Sequence, residues 1–388
     1  MTLKNSFYVM AVFSLLFVFA CGPKAVAPEA QLDTPEHHVT NGNKFLKAGR
    51  LDDALNEFTR AKQLDPRFSP AYTGLGLVYG EKEDFKQAFE AMEKAGKYAG
   101  NDMEKAAAYT GYIQLYTMGG EKVDKDWLDE AEKYFEKASM FSPDKAAPYY
   151  YMGIAYKNAY KFSEAADKFK KVLALDKQFI GEADREYAIM QRIERAMPGT
   201  KVGKKIALLD SITRGDVAAL FIEELKVDEL FKKKAPKKFD TSFKSPEKEF
   251  KTGEYVKAKA ATDIEDHVLR HDIQAVMDLQ IKGLQPYPDH TFRPYEKITR
   301  AEFAMMIEDI LIKITGDEAL ATKFIGNQSP FPDLRNDLPY FNAAMVCVTR
   351  NIMETVDTAT GEFKPHGLVS GADALLSIRQ LKIQLDRL

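Results

Sequence analysis

Cysteine, histidine and tryptophan are scarce in this chain of 388 residues, and each scarcity closes a class of chemistry. The two cysteines, Cys21 and Cys347, cannot build the disulfide framework of a small secreted domain. Cys347 sits in an apolar helical run and reads as a small buried hydrophobe. Of the six histidines, only His267 and His271, in EDHVLRHD, have ligand-like spacing. They would share a helix face, but the run lacks the HExxH glutamate and a third ligand, so it predicts a surface helix and no metal. A nucleophile elbow, a phosphate loop and a Cys–His arrangement are all missing, so no catalytic residue and no cofactor are expected. A net charge of −3 supplies no basic field for nucleic acid.

What is present favours helices. Hydrophobic residues make up 45% and charged residues 29%, with few β-branched runs, which predicts an all-α chain of two or more domains. The first residues stand apart. Lys4 gives a positive start, and Phe7 to Ala20 is an apolar run shorter than the roughly 20 residues that span a bilayer, so 1–20 reads as a secretory signal. It ends Ala20-Cys21-Gly22. A small residue before a cysteine at this place resembles the lipobox of bacterial lipoproteins, which implies lipidation of Cys21; the alternative is an ordinary signal with an incidental cysteine. The Pro- and Ala-rich stretch 21–33 then suits an extended tether.

From Thr34 the chain repeats. Gly42, Phe45, Ala54, Phe58, Ala61 and Pro66 are matched 34 residues later by Gly76, Tyr79, Ala88, Met92, Ala95 and Gly100. The set recurs as Gly153, Tyr156, Ala165, Phe169 and Val172, while Ala131, Phe135, Ala138 and Pro143 supply the second half of a further, irregular unit after the loop GGEKVDKD. This pattern resembles the tetratricopeptide repeat (TPR), about four units over 34–180. Small residues let antiparallel helices approach, and the large side chain fills the gap beside them. Stacked first helices would form a concave face lined by Asn43, Lys47, Thr73, Tyr150 and Asn158. The resemblance implies a groove for a peptide or protein; the alternative is that these are solvated positions on a spacer.

The rest, 181–388, carries a second echo. Thr213-Arg214-Gly215-Asp216, Thr299-Arg300-Ala301-Glu302 and Ser370-Gly371-Ala372-Asp373 each place a hydroxyl at a helix start with an acid three residues on, the capping-box pattern. Phe292-Arg293-Pro294 and Phe363-Lys364-Pro365 precede the second and third at the same interval, whereas the first has Ile206 where the phenylalanine would fall. Helices are expected over Asp272 to Leu284 and Tyr340 to Met353, with Asp263 and Asp333 at their starts as caps or contacts between copies. Between the first two copies, 226–260 is Lys-rich and without helical period, a solvated insertion or a basic patch; its acids Glu247, Glu249 and Glu254 weaken the patch.

This arrangement resembles three tandem S-layer homology (SLH) domains. The resemblance implies a pseudo-threefold helical bundle whose grooves hold an anionic cell-wall glycan, with the arginine of each TRAE motif as a principal ligand residue. The capping hydroxyls recur in all three copies, the arginine only in two, at Arg214 and Arg300. A planar guanidinium pairs with a carboxylate through two parallel hydrogen bonds, and the adjoining helix start would add free N–H donors. Arg300 has no apolar neighbour demanding it, so its side chain is expected to point away from the fold; the alternative is that both arginines pair with carboxylates of a neighbouring copy. Thr299, Glu302, Gly283, Asp289 and Thr291 would shape the glycan site, with Tyr287 and Tyr295 stacking on sugar rings.

The whole reads as a TPR helical-hairpin solenoid followed by an SLH-like bundle. It would be a non-enzymatic envelope scaffold, lipid-anchored at the outer membrane and facing the periplasm, since Gly22 is not an inner-membrane retention aspartate. The alternatives are an assembly factor of a secretion, pilus or outer-membrane machine with purely structural SLH-like copies, or an envelope hydrolase, which the missing catalytic motifs disfavour.

Overall fold

The structure is a computed structural model that describes residues 25–175, 178–234 and 258–386. The signal 1–20, Cys21 and most of the Lys-rich insertion, including Glu247, Glu249 and Glu254, lie outside the described residues. Among those described, every regular element is helical, apart from two isolated bridges, and no helix is long and apolar enough to cross a membrane. The chain divides into compact units at Tyr187/Ala188.

The N-terminal unit is built from helical hairpins. They are α1 (Pro35–Lys47) with α2 (Leu51–Leu64), α3 (Ser69–Glu81) with α4 (Phe85–Tyr98), α5 (Asp102–Gly119) with α6 (Trp127–Phe141), and α7 (Ala146–Asn158) with α8 (Phe162–Leu175). Thr34 caps the first helix by accepting from the His37 amide. The glycines explain the spacing. A Cβ added at Gly42 would lie 2.7 Å from Phe58, and one at Gly74, in the next hairpin, 2.2 Å from the same ring. Phe58 is therefore gripped by the first helix of its own unit and by that of the next. Met92 repeats this, with added Cβ atoms 2.8 Å away at Gly76 and 2.4 Å away at Gly111. Each such plug is fully buried, which stabilises the stack by about 2 kcal/mol apiece. In the irregular third unit a short 3-10 turn, Gly120–Lys122, precedes α6, and tyrosines fill the gap instead: Tyr112 and Tyr134 stack with ring centres 4.2 Å apart.

The boundary between the units falls within α9 (Ile180–Ala196). The C-terminal unit continues with α10 (Lys201–Ala207), α11 (Arg214–Glu223), α12 (Val227–Lys234), α13 (Arg270–Asp278), α14 (Arg300–Thr315), α15 (Phe341–Thr349) and α16 (Gly371–Asp386). Its principal helix pairs join successive copies: α11 packs on α13, α14 on α15, and α16 returns to α10. At the hub the residues just before the three caps form a closed ring of backbone hydrogen bonds. Ile298 N–H donates to Ile212 C=O (3.1 Å), Val369 N–H to Ile298 C=O (3.1 Å), and Ile212 N–H to Val369 C=O (2.9 Å). All three side chains are buried. The ring gives the expected pseudo-threefold bundle its axis.

Three local expectations are corrected. The helix before the second TRAE motif begins at Arg270, so His267 lies outside it, its Nδ1 accepting from the Leu269 amide, and does not share a helix face with His271. The start of the Lys-rich stretch is helical over Val227–Lys234 because Leu225 and Val227 are buried. Asp263 and Asp333 cap no helix and join no copies. Each carboxylate accepts from two consecutive amides of its own copy's F-x-P turn: Asp263 from Phe292 and Arg293 (both 2.7 Å), Asp333 from Phe363 (2.9 Å) and Lys364 (2.6 Å). The middle residues of those turns, Arg293 and Lys364, have φ of 58° and 53°, and the aspartate holds this left-handed conformation in place. Cys347 is wholly buried against the Ala304 carbonyl, and burial pushes its thiol up.

Candidate functional site

The three caps form as the sequence predicts. Thr213, Thr299 and Ser370 each accept from the amide three residues on, at 3.2, 3.3 and 3.1 Å, and each donates to the acid there at 2.8 Å. The acid reaches back to the cap amide in the first two copies, at 2.8 Å in both. No such return bond forms at Ser370, where Asp373 instead receives Arg192 at 3.3 Å.

The arginines do not behave as the sequence suggests. Arg300 is 7% exposed and Arg214 5%. Arg300 Nε donates to Phe363 C=O (2.7 Å) and its terminal nitrogen to Glu354 C=O (2.5 Å). Arg214 Nε donates to Phe292 C=O (2.8 Å), and its terminal nitrogens donate to Gly283 C=O (2.5 Å) and Gln285 C=O (3.1 Å). Burial pulls both guanidinium pKa values down, yet each remains a cation bonded to carbonyl dipoles. The expectation that Arg300 points away from the fold is overturned, and the partners are backbone carbonyls of the next copy rather than carboxylates. The helix-start donors are also engaged. Arg214 and Gly215 amides donate to Glu296 and Pro294, and Arg300 and Ala301 amides to Gly367 and Pro365. They are not free N–H groups.

The third interface shows why Gly371 breaks the motif. The Phe292 and Phe363 carbonyls receive the arginine Nε; Ile206, the equivalent residue before the first cap, ends a helix rather than an F-x-P turn. A Cβ on Gly371 would lie 1.7 Å from the Ile206 carbonyl oxygen. No side chain fits there, so the missing turn in the first copy and the missing arginine in the third are one structural event.

Around Arg214 the surface opens into a groove of about 320 Å3 that brings together Arg214, Gly283, Tyr287 and Glu302. Gly283 is needed there: its φ is 84°, and an added Cβ would approach Met306 to 3.1 Å. Thr299 lies at the cap, and Arg300 is enclosed. Asp289 accepts from Thr291 and Arg293, which bring its carboxyl down to about 2, and neither Asp289 nor Thr291 lines the groove. Tyr287 has the guanidiniums of Arg293 and Arg214 over its ring at 4.1 and 4.9 Å, and it donates to Glu296, so the ring is already occupied by cations. Tyr295 is 76% exposed, beside His267 and outside the groove. Lys282, which no motif marks, completes the wall, and its ammonium makes no hydrogen bond or ion pair among the described residues.

In the N-terminal unit a groove of about 940 Å3 runs along the first helices of the hairpins. Asn43, Lys47, Tyr150 and Asn158 line it; Thr73 does not, because it sits one helical turn short of the lining residue Leu77 and bonds back to Ser69 C=O. Asn43 and Asn158 are exposed, and neither carboxamide has a hydrogen-bond partner among the described residues. Tyr150 lies under Phe179, the rings stacked at 4.6 Å. Glu81, Gln114 and Thr117 complete the polar lining. Leu77 and Glu81 stand one 34-residue period after Asn43 and Lys47, a signal that carries the lining from one unit to the next.

Residues 284–304 match the family model of the S-layer homology domain. The chain is similar to protein bimA of Emericella nidulans, 33% identical over 113 residues that make up 29% of this chain and 13% of that protein. It thus spans well under a quarter of that curated relative's length. Among solved structures it is similar to pilF of Pseudomonas aeruginosa, at 20% identity and a TM-score of 0.34, covering 50% of this chain and 84% of that one. A thermophilic TPR protein of Thermus thermophilus is similar at 19% identity and a TM-score of 0.34, covering 50% and 92%. The chain therefore combines helical hairpins of tetratricopeptide pattern with a segment that matches the S-layer homology domain.

Proposed function

We propose that this protein is a non-enzymatic scaffold of the bacterial cell envelope. Its N-terminal groove takes an extended segment of a partner protein, its C-terminal bundle takes an anionic cell-wall glycan, and a lipid on Cys21 holds it at a membrane. The observation that carries the reading is the pair of unbonded carboxamides, Asn43 and Asn158, in one concave face beside Lys47. A carboxamide offers both donor and acceptor, which suits the unpaired backbone of an extended peptide, and the solenoid itself makes no use of them. Leu77, Ile154 and Tyr151 offer apolar seats for the peptide's side chains.

For the glycan, the fitting place is the groove beside Arg214. The unpaired Lys282 ammonium, with the Arg214 guanidinium behind it, would receive the acidic group, and Arg300 serves as a brace between copies rather than as a ligand. The test is cosedimentation of the purified chain with cell-wall sacculi. Wild type should be retained, and Lys282→Gln, which removes the ammonium without setting another carboxylate beside Glu308, should be released while circular dichroism shows the helices intact. A wild-type chain left in the supernatant would remove the glycan half of the proposal. A photo-crosslinking residue at Leu77 tests the other half: an adduct should form in cells and disappear in the Asn43→Ala, Asn158→Ala double variant.

A further inference from the structure

A second cavity in the C-terminal unit, about 340 Å3, lies between α14, the short turn Glu318–Thr322 and residues 336–342. Glu308 belongs to its wall although only 7% of the residue is exposed. One carboxylate oxygen accepts from Asn342 Nδ2 at 2.5 Å. The other has no donor among the described residues, and the residue lines the cavity. Asn342 has nothing more to give. Its Oδ1 accepts from the Phe324 amide and its Nδ2 also donates to Leu320 C=O, both at 2.8 Å, which fixes the amide's orientation.

The remaining acids of the wall are matched inside the protein. Asp309 pairs with Lys313 at 2.8 Å, and Asp337 with Arg335. No group of three metal-ligating side chains is placed to hold an ion among the described residues. Ile312, Leu338 and Phe341 form an apolar side to the same space. A buried carboxylate with one oxygen short of a donor is unfavourable unless something supplies that donor. Burial pushes the Glu308 carboxyl up, while Asn342 and Lys282 pull it down.

We propose that this cavity binds a small aliphatic primary amine as its ammonium, with the charge on the free Glu308 oxygen and the alkyl stem along Ile312, Leu338 and Phe341. The single open oxygen selects the group. An ammonium is a compact point charge that one oxygen can receive, whereas a guanidinium asks for two in a fork. The volume lies within the range of roughly 300–1,000 Å3 typical of small-molecule sites and far exceeds one water. Lys282, also in the wall, disfavours a second cation, so the far end of the ligand is neutral or anionic.

The test titrates the full chain with n-butylammonium chloride, followed by calorimetry, with n-butanol as the uncharged control. Wild type should bind the amine saturably and the alcohol much more weakly. Glu308→Gln keeps an oxygen for Asn342 and removes the charge, and it should weaken amine binding at least about tenfold while leaving the melting temperature equal or higher. Ala321→Phe fills the cavity without touching Glu308 and should abolish binding. Equal binding of amine and alcohol, or undiminished amine binding in both variants, would overturn the proposal.

Discussion

Two of the three interfaces in the C-terminal bundle carry an arginine, and the third carries a glycine. Arg214 and Arg300 reach into the F-x-P turn of the following copy and bind its carbonyls. Gly371 faces the first copy, whose helix α10 occupies that room with the Ile206 carbonyl. The contrast teaches that the motif's arginine and the neighbour's turn form one unit across copies. An arginine is present where the carbonyl recedes into a turn, and absent where the carbonyl presses against the cap.

The sharpest way to break this contrast is Gly371→Ala. The added methyl has only 1.7 Å before the Ile206 carbonyl, and that atom belongs to backbone that cannot rotate aside. A loss of about 3 kcal/mol is expected. The single tryptophan, Trp127, reports on the N-terminal unit, so urea denaturation should show an early circular-dichroism transition with tryptophan fluorescence unmoved. An unshifted transition would mean that α10 yields easily, and the account of the third interface would fall.

Next in size are the arginines. Arg300→Ala leaves the carbonyls of Phe363 and Glu354 without their donor, and Arg214→Ala leaves those of Phe292, Gly283 and Gln285. Each should cost about 2–3 kcal/mol in the same denaturation experiment. Lysine should restore little, because its single head group cannot serve carbonyls placed for a planar fork. Full stability of Arg300→Lys would show that charge rather than geometry matters there.

What could be read in the sequence follows from how far each partner lies along the chain. Thr299 and Glu302 are three residues apart, so the cap was legible. The 34-residue period is legible too, because each plug and its own glycine lie within one hairpin; Gly74 and Gly111, which grip the same plugs from the next hairpin, stand off that period. The orientation of Arg300 is not legible in the sequence, because its acceptors are backbone carbonyls 63 and 54 residues away and a carbonyl has no letter there. The roles of Asp263 and Asp333 could have been found. Each stands at nearly the same distance before its F-x-P turn, 29 and 30 residues from the phenylalanine, and a carboxylate kept so nearly in step with a turn is a brace for that turn.

The smallest effects sharpen the contrast best, because the caps separate what all three copies share from what only two share. Removing the hydroxyl by Thr213→Ala, Thr299→Ala or Ser370→Ala deletes the same pair of bonds each time, one accepted from the third helical amide and one donated to the acid. The losses should be equal, about 1 kcal/mol each. Removing the acid should not give equal losses. Asp216→Ala and Glu302→Ala also orphan the cap amide, whereas Asp373→Ala, with no return bond to lose, gives up only an exposed contact with Arg192 that contributes little. Thermal denaturation of all six variants should therefore give a flat series for the hydroxyls and a stepped one for the acids, with the third copy lowest. A flat acid series would place the asymmetry of the bundle in Gly371 alone; a stepped one extends it to the cap itself, so that the copy without an arginine also carries the loosest helix start.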